Sequence, residues 1–371
     1  MIYRIVLALK HFFYDKGWKK SVRADVPTLC VGNLTVGGTG KTPMTELILR
    51  TLLQSDEWAY SNIAVLSRGY KRRSRGFQKV PRENGTARAF GDEPVQLARK
   101  FPSVTVAVDK DRVEGCRFLA RPEELQTSKK ARRCADKDIP AADIIVLDDA
   151  FQYRPLEADI NVVLVDYNRP VHKDRLLPWG HLRDLPSRLK DADIVVVTKC
   201  PRYMDEWEKG RWAGALGISG YNAASCKGKR GTKEQTLLFA TIDYDELQPV
   251  FPEADSRFIY APRLMMLTGI AKDTTLRGFL SDKYKIVKRF AFPDHHRFTA
   301  ADMRKVRTGI REHPTACIAT TEKDAQRLRE VKKLPANLPE RLFQVPIRIS
   351  FLTEGEQAVF EKTLLGSIHR S

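Results

Sequence analysis

A glycine-rich stretch near the N-terminus constrains the fold of this chain more than any other feature. A short apolar run leads into Val31-Gly32-Asn33-Leu34-Thr35-Val36-Gly37-Gly38-Thr39-Gly40-Lys41-Thr42-Pro43, after which a helical pattern begins. A strand, a glycine loop and a helix in this order are typical of a phosphate-binding loop, in which Lys41 reaches the terminal phosphates and the Thr42 hydroxyl ligates Mg²⁺. The strict pattern has glycine where this chain has Thr35, so the loop is a variant. A glycine-rich turn before an ordinary helix is the alternative.

Composition narrows the class of protein. The 371 residues are enough for two domains, and no apolar run approaches the about 20 residues of a membrane-spanning helix. A net charge of +18 predicts a polyanionic neighbour, which could be nucleic acid, an anionic membrane or a phosphorylated substrate. The six cysteines lie far apart, which favours neither a zinc site nor a disulfide framework and fits a reducing cytoplasm.

The first 22 residues have the pattern of an amphipathic helix with basic flanks. At 100° per residue, one face about 120° wide collects the apolar side chains Ile2, Ile5, Val6, Leu9, Phe12 and Phe13. Such a helix could lie in the interfacial plane of an anionic bilayer. The alternative is that the same stripe packs on the protein's own core.

Acidic residues follow two of the predicted strands or loops. The continuous apolar run 144–147 predicts a strand buried on both faces, and Asp148 and Asp149 at its end occupy the position of a Mg²⁺-holding Walker-B carboxylate. In Gly91-Asp92-Glu93-Pro94, one acid could activate a hydroxyl or help to position Mg²⁺, although Asp92 could simply cap a helix. The cationic loop 67–76, which contains Arg68, either touches an anionic ligand or is a solvated charge run.

The spacing of apolar runs predicts two α/β units. Residues 23–205 form a mainly parallel sheet of about five or six strands with helices on both faces, in a P-loop nucleotide-binding domain. Residues 206–262 form an inter-domain connection, partly extended strand. Residues 263–371 form a smaller α/β domain with strands near 263–267, 284–290, 316–320 and 342–349. Within it, Asp294-His295-His296 could move a proton or could be a surface turn.

Taken together, these motifs resemble the tetraacyldisaccharide 4′-kinase family of lipid A biosynthesis. The resemblance covers most of the chain and rests on segments in matching order: 31–43, 66–70, 91–94, 109–115, 147–152, 176–183, 197–199, 292–298 and 321–324. It implies transfer of the ATP γ-phosphoryl group to the 4′-hydroxyl of a tetraacyl glucosamine disaccharide 1-phosphate, with the active site in the cleft between two α/β domains. The implied cofactors are ATP and Mg²⁺.

The resemblance also assigns roles to residues. Asp92 is implied as the general base, assisted by His295 from the second domain, with Lys41 compensating charge on the phosphates. Substrate contacts are expected from Arg68, Arg183 and Asp294. The ATP phosphates would be cradled by Thr35, Val36, Gly37, Gly38, Thr39, Gly40, Lys41 and Thr42, and the candidates for holding Mg²⁺ are Thr42, Glu93, Asp148 and Asp149. At Asp184 the chain departs from the family's Leu-Leu-Pro-x-Gly-x-Leu-Arg-Glu-Pro segment, so no role is carried over to that position.

The implied location is the cytoplasmic face of a bacterial inner membrane, with the N-terminal helix as a peripheral anchor. The alternatives within P-loop proteins are a GTPase-type metallochaperone and an ATP-dependent nucleic-acid-binding protein. Clustered Cys and His residues, which metal handling requires, are absent from the sequence. The basic residues are dispersed and carry none of the nucleic-acid recognition signatures. We therefore expect no nucleic acid and no obligate protein partner.

Overall fold

A computed structural model of the protein describes residues 2–270 and 273–368, and Met1 of the predicted N-terminal helix lies outside this part. The strands are β1 Thr28–Asn33, β2 Ile63–Ser67, β3 Gln78–Lys79, β4 Thr105–Val108, β5 Ile144–Asp148, β6 Ile160–Asp166, β7 Ile194–Thr198, β8 Ser219–Asn222, β9 Lys227–Arg230, β10 Lys233–Tyr244, β11 Gln248–Pro249, β12 Arg263–Thr268, β13 Lys285–Ala291, β14 Cys317–Thr321, β15 Leu342–Val345 and β16 Ile347–Phe351. The α-helices are α1 Ile2–Asp15, α2 Lys41–Gln54, α3 Ala87–Phe90, α4 Asp92–Lys100, α5 Arg112–Ala120, α6 Glu124–Thr127, α7 Glu206–Ala215, α8 Thr274–Ser281, α9 Ala300–Glu312, α10 Glu322–Leu328 and α11 Glu354–Gly366.

An eleven-stranded sheet forms the larger part of the protein, which we call the large lobe (residues 2–244 and 347–368). Its order is β3-β4-β2-β5-β1-β6-β7-β10-β9-β8, and β16 pairs with the second half of β10. The strands from β4 to β10 in this order pair in parallel, while β3, β8, β9 and β16 are antiparallel. Because the central strands are buried on both faces, their sequences are almost continuously apolar.

Helices cover both faces of this sheet. On one face, α2 buries Met44, Ile48 and Leu49 against β1 and its neighbours. The opposite face is covered by α5, α7 and the chain around Phe151 and Leu182. The predicted mainly parallel α/β architecture with helices on both faces is confirmed.

The small lobe (residues 245–346) contains a second sheet in the order β11-β15-β14-β12-β13. Strands β12 to β15 pair in parallel, and β11 joins the edge antiparallel. Helix α9 packs Met303, Val306 and Ile310 on one face of this sheet. The predicted smaller α/β unit is therefore present.

The sequence prediction was wrong about how many strands the first sheet has and about the segment that follows it. Residues 206–262, predicted as a connection that is partly extended strand, contribute α7 and the strands β8 to β10 to the large lobe. Together with β3 and β16, which were not predicted in this sheet either, they bring it to eleven strands instead of five or six. Strands β8 and β9 lie at the sheet edge and are mostly exposed, so they lack the apolar runs that reveal central strands.

The predicted strand 342–349 is also two strands. Pro346 has no N–H to donate to a β-ladder and separates β15 from β16. The first of these belongs to the small lobe, whereas β16 and α11 return to the large lobe. The two lobes are thus joined by two antiparallel strands, β10 and β16.

Helix α1 is the predicted N-terminal helix, and most of the described side chains of its apolar stripe are exposed. Its stripe residues Ile5, Val6, Leu9 and Phe12 are between 45% and 54% exposed, whereas Leu7 and His11 face the protein and are buried. These four side chains therefore do not pack on the core, whereas Phe13 is half-buried and the side chain of Ile2 lies outside the described part of the structure. Across residues 2–270 and 273–368, no helix is both long and apolar enough to cross a bilayer.

Candidate active site

The glycine-rich loop joins β1 to α2 and is anchored from both sides. Asn33, the last residue of β1, donates a 2.7 Å hydrogen bond from Nδ2 to Thr39 Oγ1. Thr198, at the end of β7, donates from Oγ1 to the Thr39 carbonyl oxygen at 2.8 Å. Gly40 then takes φ of 92°, a left-handed conformation that glycine adopts without strain, and α2 begins at the next residue. The loop is rigidly held with the amino end of a helix at its mouth, as phosphate binding requires.

Lys41 and Thr42 open α2 and lie where the sequence predicted. The Lys41 Nζ is 3.9 Å from Asp149 Oδ1. Thr42 is buried beneath the loop. A helix N-terminus carries unpaired N–H groups and a partial positive charge, so these residues and the loop together form a site for anionic phosphate groups.

Asp148 ends β5 and has one carboxylate oxygen without a partner. Its Oδ2 accepts a 3.0 Å hydrogen bond from Ser67 Oγ. Its Oδ1 is buried and has no hydrogen-bond partner in the part of the chain that the structure describes. Burial, reinforced by the charges of Glu93 and Asp149, raises the pKa of Asp148. A buried carboxylate oxygen without a partner lowers the stability of the fold unless it binds a cation or accepts a hydrogen bond.

Asp149 differs from its neighbour because cationic side chains already neutralise it. Both terminal nitrogens of Arg183 donate to its carboxylate, one of them at 3.0 Å to Oδ2. Burial alone would raise the pKa of Asp149, but the charge of Lys41 and the hydrogen bond and charge of Arg183 lower it overall. Arg183 also donates to Asn33 Oδ1 at 2.5 Å, which connects this ion pair to the glycine-rich loop.

The two acids at the start of α4 pair with cations of the small lobe. Glu93 forms a 2.5 Å ion pair with Lys323 of α10, and the charge of Lys323, opposed by burial and assisted by Lys41, lowers the pKa of Glu93. The N-cap of α4 is Gly91, with φ of 101°, so the alternative interpretation of Asp92 as a helix cap is wrong.

Asp92 lies in a network that spans the two lobes. Its Oδ2 accepts a 3.1 Å hydrogen bond from Arg327 Nε and a second bond from the Nη2 of the same guanidinium. The Nδ1 of His295 lies 3.3 Å from this Oδ2 and 3.1 Å from Arg327 Nη2. Burial alone would raise the pKa of Asp92, but the bonds from His295 and Arg327 lower it to about 2. Asp92 is therefore ionised at neutral pH.

The two neighbouring histidines of the predicted Asp294-His295-His296 segment have different partners. His295, at φ of 59°, points to Asp92, and its ring lies 6.2 Å from the ring of Tyr70 in the cationic loop. His296 turns the other way and pairs with Asp302 at 2.9 Å, next to the N-terminus of α9.

The other two residues predicted to contact the substrate, Asp294 and Arg68, lie at the edge of the site. Asp294 is exposed, with its Oδ2 3.8 Å from His295 Nε2. Arg68 is exposed at the end of β2. The structure thus brings together the phosphate loop, Asp148, Asp149, Arg183, Glu93, Asp92 and His295, and leaves Arg68 and Asp294 at the periphery.

Sequence reasoning missed Lys323 and Arg327. They are four residues apart on α10, so they share the face that meets α4. Thr321 is the N-cap of α10, and its hydroxyl oxygen accepts a hydrogen bond from Asp324 N. Two cations four residues apart were the signal available in the sequence. Their partners, Glu93 and Asp92, are apparent only from the contact between the lobes.

The arrangement defines a class of protein. A P-loop followed by a helix, a buried acid at the end of a central strand, and an ionised carboxylate beside a histidine across a cleft are the parts of a nucleotide-dependent phosphotransferase.

Comparison with known proteins then identifies the family: the model of the tetraacyldisaccharide-1-P 4′-kinase family matches residues 1–369, and the chain belongs to this family. A tetraacyldisaccharide 4′-kinase of Phocaeicola vulgatus is 34% identical over 376 residues, which cover 100% of this chain and 93% of the relative. One of Parabacteroides distasonis is 36% identical over 366 residues, which cover 96% and 89%. The resemblance inferred from the sequence is confirmed, and the metallochaperone and nucleic-acid alternatives are not favoured.

A solved structure supports the fold. The crystal structure of LpxK from Aquifex aeolicus in complex with ATP superposes with a TM-score of 0.69 at 23% identity, covering 99% of this chain and 96% of that one. At this identity the similarity concerns the fold.

Proposed function

We propose that the protein transfers the γ-phosphoryl group of ATP to the 4′-hydroxyl of a tetraacyl glucosamine disaccharide 1-phosphate. Family membership and the names of full-length relatives support this activity. The observation that carries the proposal is the position of Asp92: it starts α4 on the large lobe, next to Glu93, which lies within electrostatic range of Lys41 in the phosphate loop.

Asp92 would act as the general base. All hydrogen bonds to its carboxylate go to Oδ2, and in residues 2–270 and 273–368 none reaches Oδ1. The network therefore orients the group and leaves Oδ1 free to accept the proton of the sugar hydroxyl. His295 and Arg327 would stabilise the carboxylate before transfer, and His295 could take up the proton afterwards. Since both come from the small lobe, the base is complete only when the lobes are together, which also excludes water.

The site also fits Mg²⁺. The donors would be the Thr42 hydroxyl and Asp148, whose buried Oδ1 has no hydrogen-bond partner within residues 2–270 and 273–368, whereas Glu93 and Asp149 are already paired with Lys323 and Arg183. Phosphate oxygens of the bound nucleotide would supply the remaining ligands, as is usual for Mg²⁺ in such sites. Bound Mg²⁺ would neutralise charge on the transferring phosphoryl group.

The protein would work at the cytoplasmic face of the bacterial inner membrane, attached through α1. The exposed stripe of Ile5, Val6, Leu9 and Phe12 has the character of an interfacial helix, and Trp18 beyond it is also exposed. The net charge of +18 favours an anionic surface.

Product analysis tests the activity. The purified protein is incubated with ATP, Mg²⁺ and a tetraacyl disaccharide 1-phosphate in detergent, and mass spectrometry should detect one added phosphate. No product from folded protein would refute the proposal.

The role of His295 is tested by His295→Ala, with His296→Ala as the matched control. We expect His295→Ala to lower kcat by at least about tenfold and to change the pH profile, because the base loses a partner. His296→Ala should retain turnover, since His296 contacts Asp302 instead of Asp92. Unchanged turnover and pH profile in His295→Ala would contradict the assignment.

Attachment is tested with anionic phospholipid vesicles. Leu9→Glu places a charge on the exposed stripe and removes an apolar contact worth about 1.5–3 kcal/mol, so vesicle binding should fall by about tenfold or more. Tyr260→Glu, an equivalent change at an exposed aromatic residue of the small lobe, should have little effect. Equal binding of both variants and the wild type would exclude α1 as the anchor.

A further inference from the structure

The inward side of α1 makes polar contacts with the two segments beneath it. His11 Nε2 lies 2.5 Å from Asp184 Oδ1, and the two residues are 6% and 1% exposed. Tyr3 donates from its hydroxyl to the Arg183 carbonyl oxygen at 2.9 Å, and Lys10 donates from Nζ to the Gln152 carbonyl oxygen at 3.2 Å. Helix α1 is therefore attached to the backbone at positions 152 and 183 and to the carboxylate of Asp184.

The side chains at those same positions reach the phosphate site. Arg183 donates to the Asp149 carboxylate and to Asn33 Oδ1. Gln152 donates from Nε2 to the Asn33 carbonyl oxygen. Gln152 and Arg183 therefore accept hydrogen bonds from α1 through their carbonyl oxygens, while their side chains lie at the ends of β1 and β5. The glycine-rich loop and the acidic residues begin at these strand ends.

The contact between His11 and Asp184 is specific. Asp184 Oδ1 also accepts a 2.8 Å hydrogen bond from Leu185 N, which ties the carboxylate to its own chain segment. Burial alone would raise the pKa of Asp184, but the hydrogen bond and charge of His11 lower it overall, so the carboxylate is ionised. Charge-assisted hydrogen bonds in a buried setting are strong and direction-dependent.

We propose that His11 and Asp184 are positioning residues that seat α1 on the segment around Arg183 and thereby hold Arg183 on Asp149 beside the phosphate loop. The inference rests on the proposed kinase function and extends it to residues with no contact to ATP. Displacement of a group near the reacting atoms by about 1 Å can cost about a hundredfold in rate. Because the opposite face of α1 carries the exposed apolar stripe, one helix connects the membrane-facing surface with the phosphate site.

A double-mutant cycle tests the proposal on lipid kinase turnover. His11→Ala should lower kcat by about tenfold in the wild-type background but by less than about twofold in an Arg183→Ala background, because the two residues act through one contact. Asp184→Asn should behave like His11→Ala. Two conservative variants should retain kcat within about threefold: Asp184→Glu keeps the carboxylate, and His11→Gln keeps a donor. The matched control is Lys190→Ala, which removes the exposed 3.0 Å contact with Asp15 near the end of α1 and should leave kcat unchanged.

The outcomes separate the two proposals. If the wild type forms no product, the proposed function fails. If it forms product and the fold-losses of His11→Ala and Arg183→Ala multiply, the His11 contact is structural only and the positioning role is wrong. A kcat of His11→Ala equal to that of the wild type would also overturn the positioning role. Should His11→Ala not fold, the same cycle is run with Asp184→Asn, which preserves the shape of the side chain, and the same criteria apply.

Discussion

Replacing Lys100 by methionine should destabilise the closed arrangement of the two lobes. Lys100 ends α4, and its Nζ lies 2.5 Å from Glu46 Oε2 of α2 and 2.7 Å from Glu322 Oε1 of α10. The three side chains are 19%, 4% and 5% exposed. One ammonium group therefore holds together the phosphate-loop helix, the helix that carries Asp92, and the helix of the small lobe that carries its partners.

The magnitude follows from the two carboxylates that Lys100→Met leaves behind. Removing one partner of a buried ion pair costs about 3–5 kcal/mol, and since Lys100 is partly accessible to water we take about 3 kcal/mol. For a chain of 371 residues this lowers the melting temperature by about 4 °C. Methionine preserves most of the apolar part of the lysine side chain, so the loss of stability measures the effect of removing the positive charge. In the Lys100→Met background, Glu46→Gln should recover part of the stability because one buried charge is removed.

The pH dependence has a definite sign. Burial, together with the charge of Glu322, raises the pKa of Glu46 in the folded protein. The Glu46 carboxyl therefore binds a proton more tightly in the folded than in the unfolded chain. Its contribution to the free energy of unfolding is lost as the pH rises through the pKa of the folded state. Without Lys100 this pKa rises further. The difference between Lys100→Met and the wild type should therefore be largest near pH 8 and smaller near pH 6.

Urea unfolding and thermal melting at both pH values measure the effect. Lys227→Met is the matched control: it breaks a 2.6 Å ion pair with Glu234 whose side chains are 46% and 57% exposed, and such pairs contribute about 0–1 kcal/mol. If Lys100→Met stays within 1 kcal/mol of the wild type at pH 8, or if its deficit grows at pH 6, the reasoning is wrong.

The remaining predictions concern the site. Asp92→Asn should lower kcat by about 10²–10⁴-fold while ATP affinity by calorimetry stays unchanged, because only the proton acceptor is lost. Asp148→Asn should raise the Mg²⁺ concentration for half-maximal turnover more than Ser67→Ala does, since Ser67 donates to Oδ2 whereas Oδ1 has no hydrogen-bond partner in the described residues. Equal shifts of the two variants in a Mg²⁺ titration would contradict this. Gly32→Ala should reduce the free energy of unfolding by about 1–3 kcal/mol in urea, because a new Cβ would lie 2.3 Å from Phe151 Cβ.

Local patterns in the sequence were sufficient for the elements that surround the phosphate loop. The apolar run before Asn33 and the glycines after it predicted β1, the loop and the start of α2, since strand burial and backbone freedom are properties of short segments. The period of 3.6 residues likewise predicted α1 and its apolar face. The pattern was insufficient at the sheet edges, where exposed strands such as β8 have no apolar signature, and at Pro346, where one run divides between two sheets.

By itself, the sequence determined the family, the fold class, and which residue types stand at the ends of the strands. Only the tertiary structure decided how those side chains pair: Asp149 pairs with Arg183, and Asp92 pairs with His295 and Arg327 from the other lobe. One oxygen of Asp148 is left without a hydrogen-bond partner among the described residues. Pairing of charges that are 34 to 235 positions apart in the sequence depends on how the lobes and helices pack, and no local propensity encodes it. The physical reason is that burial and the partner set the charge state of each group.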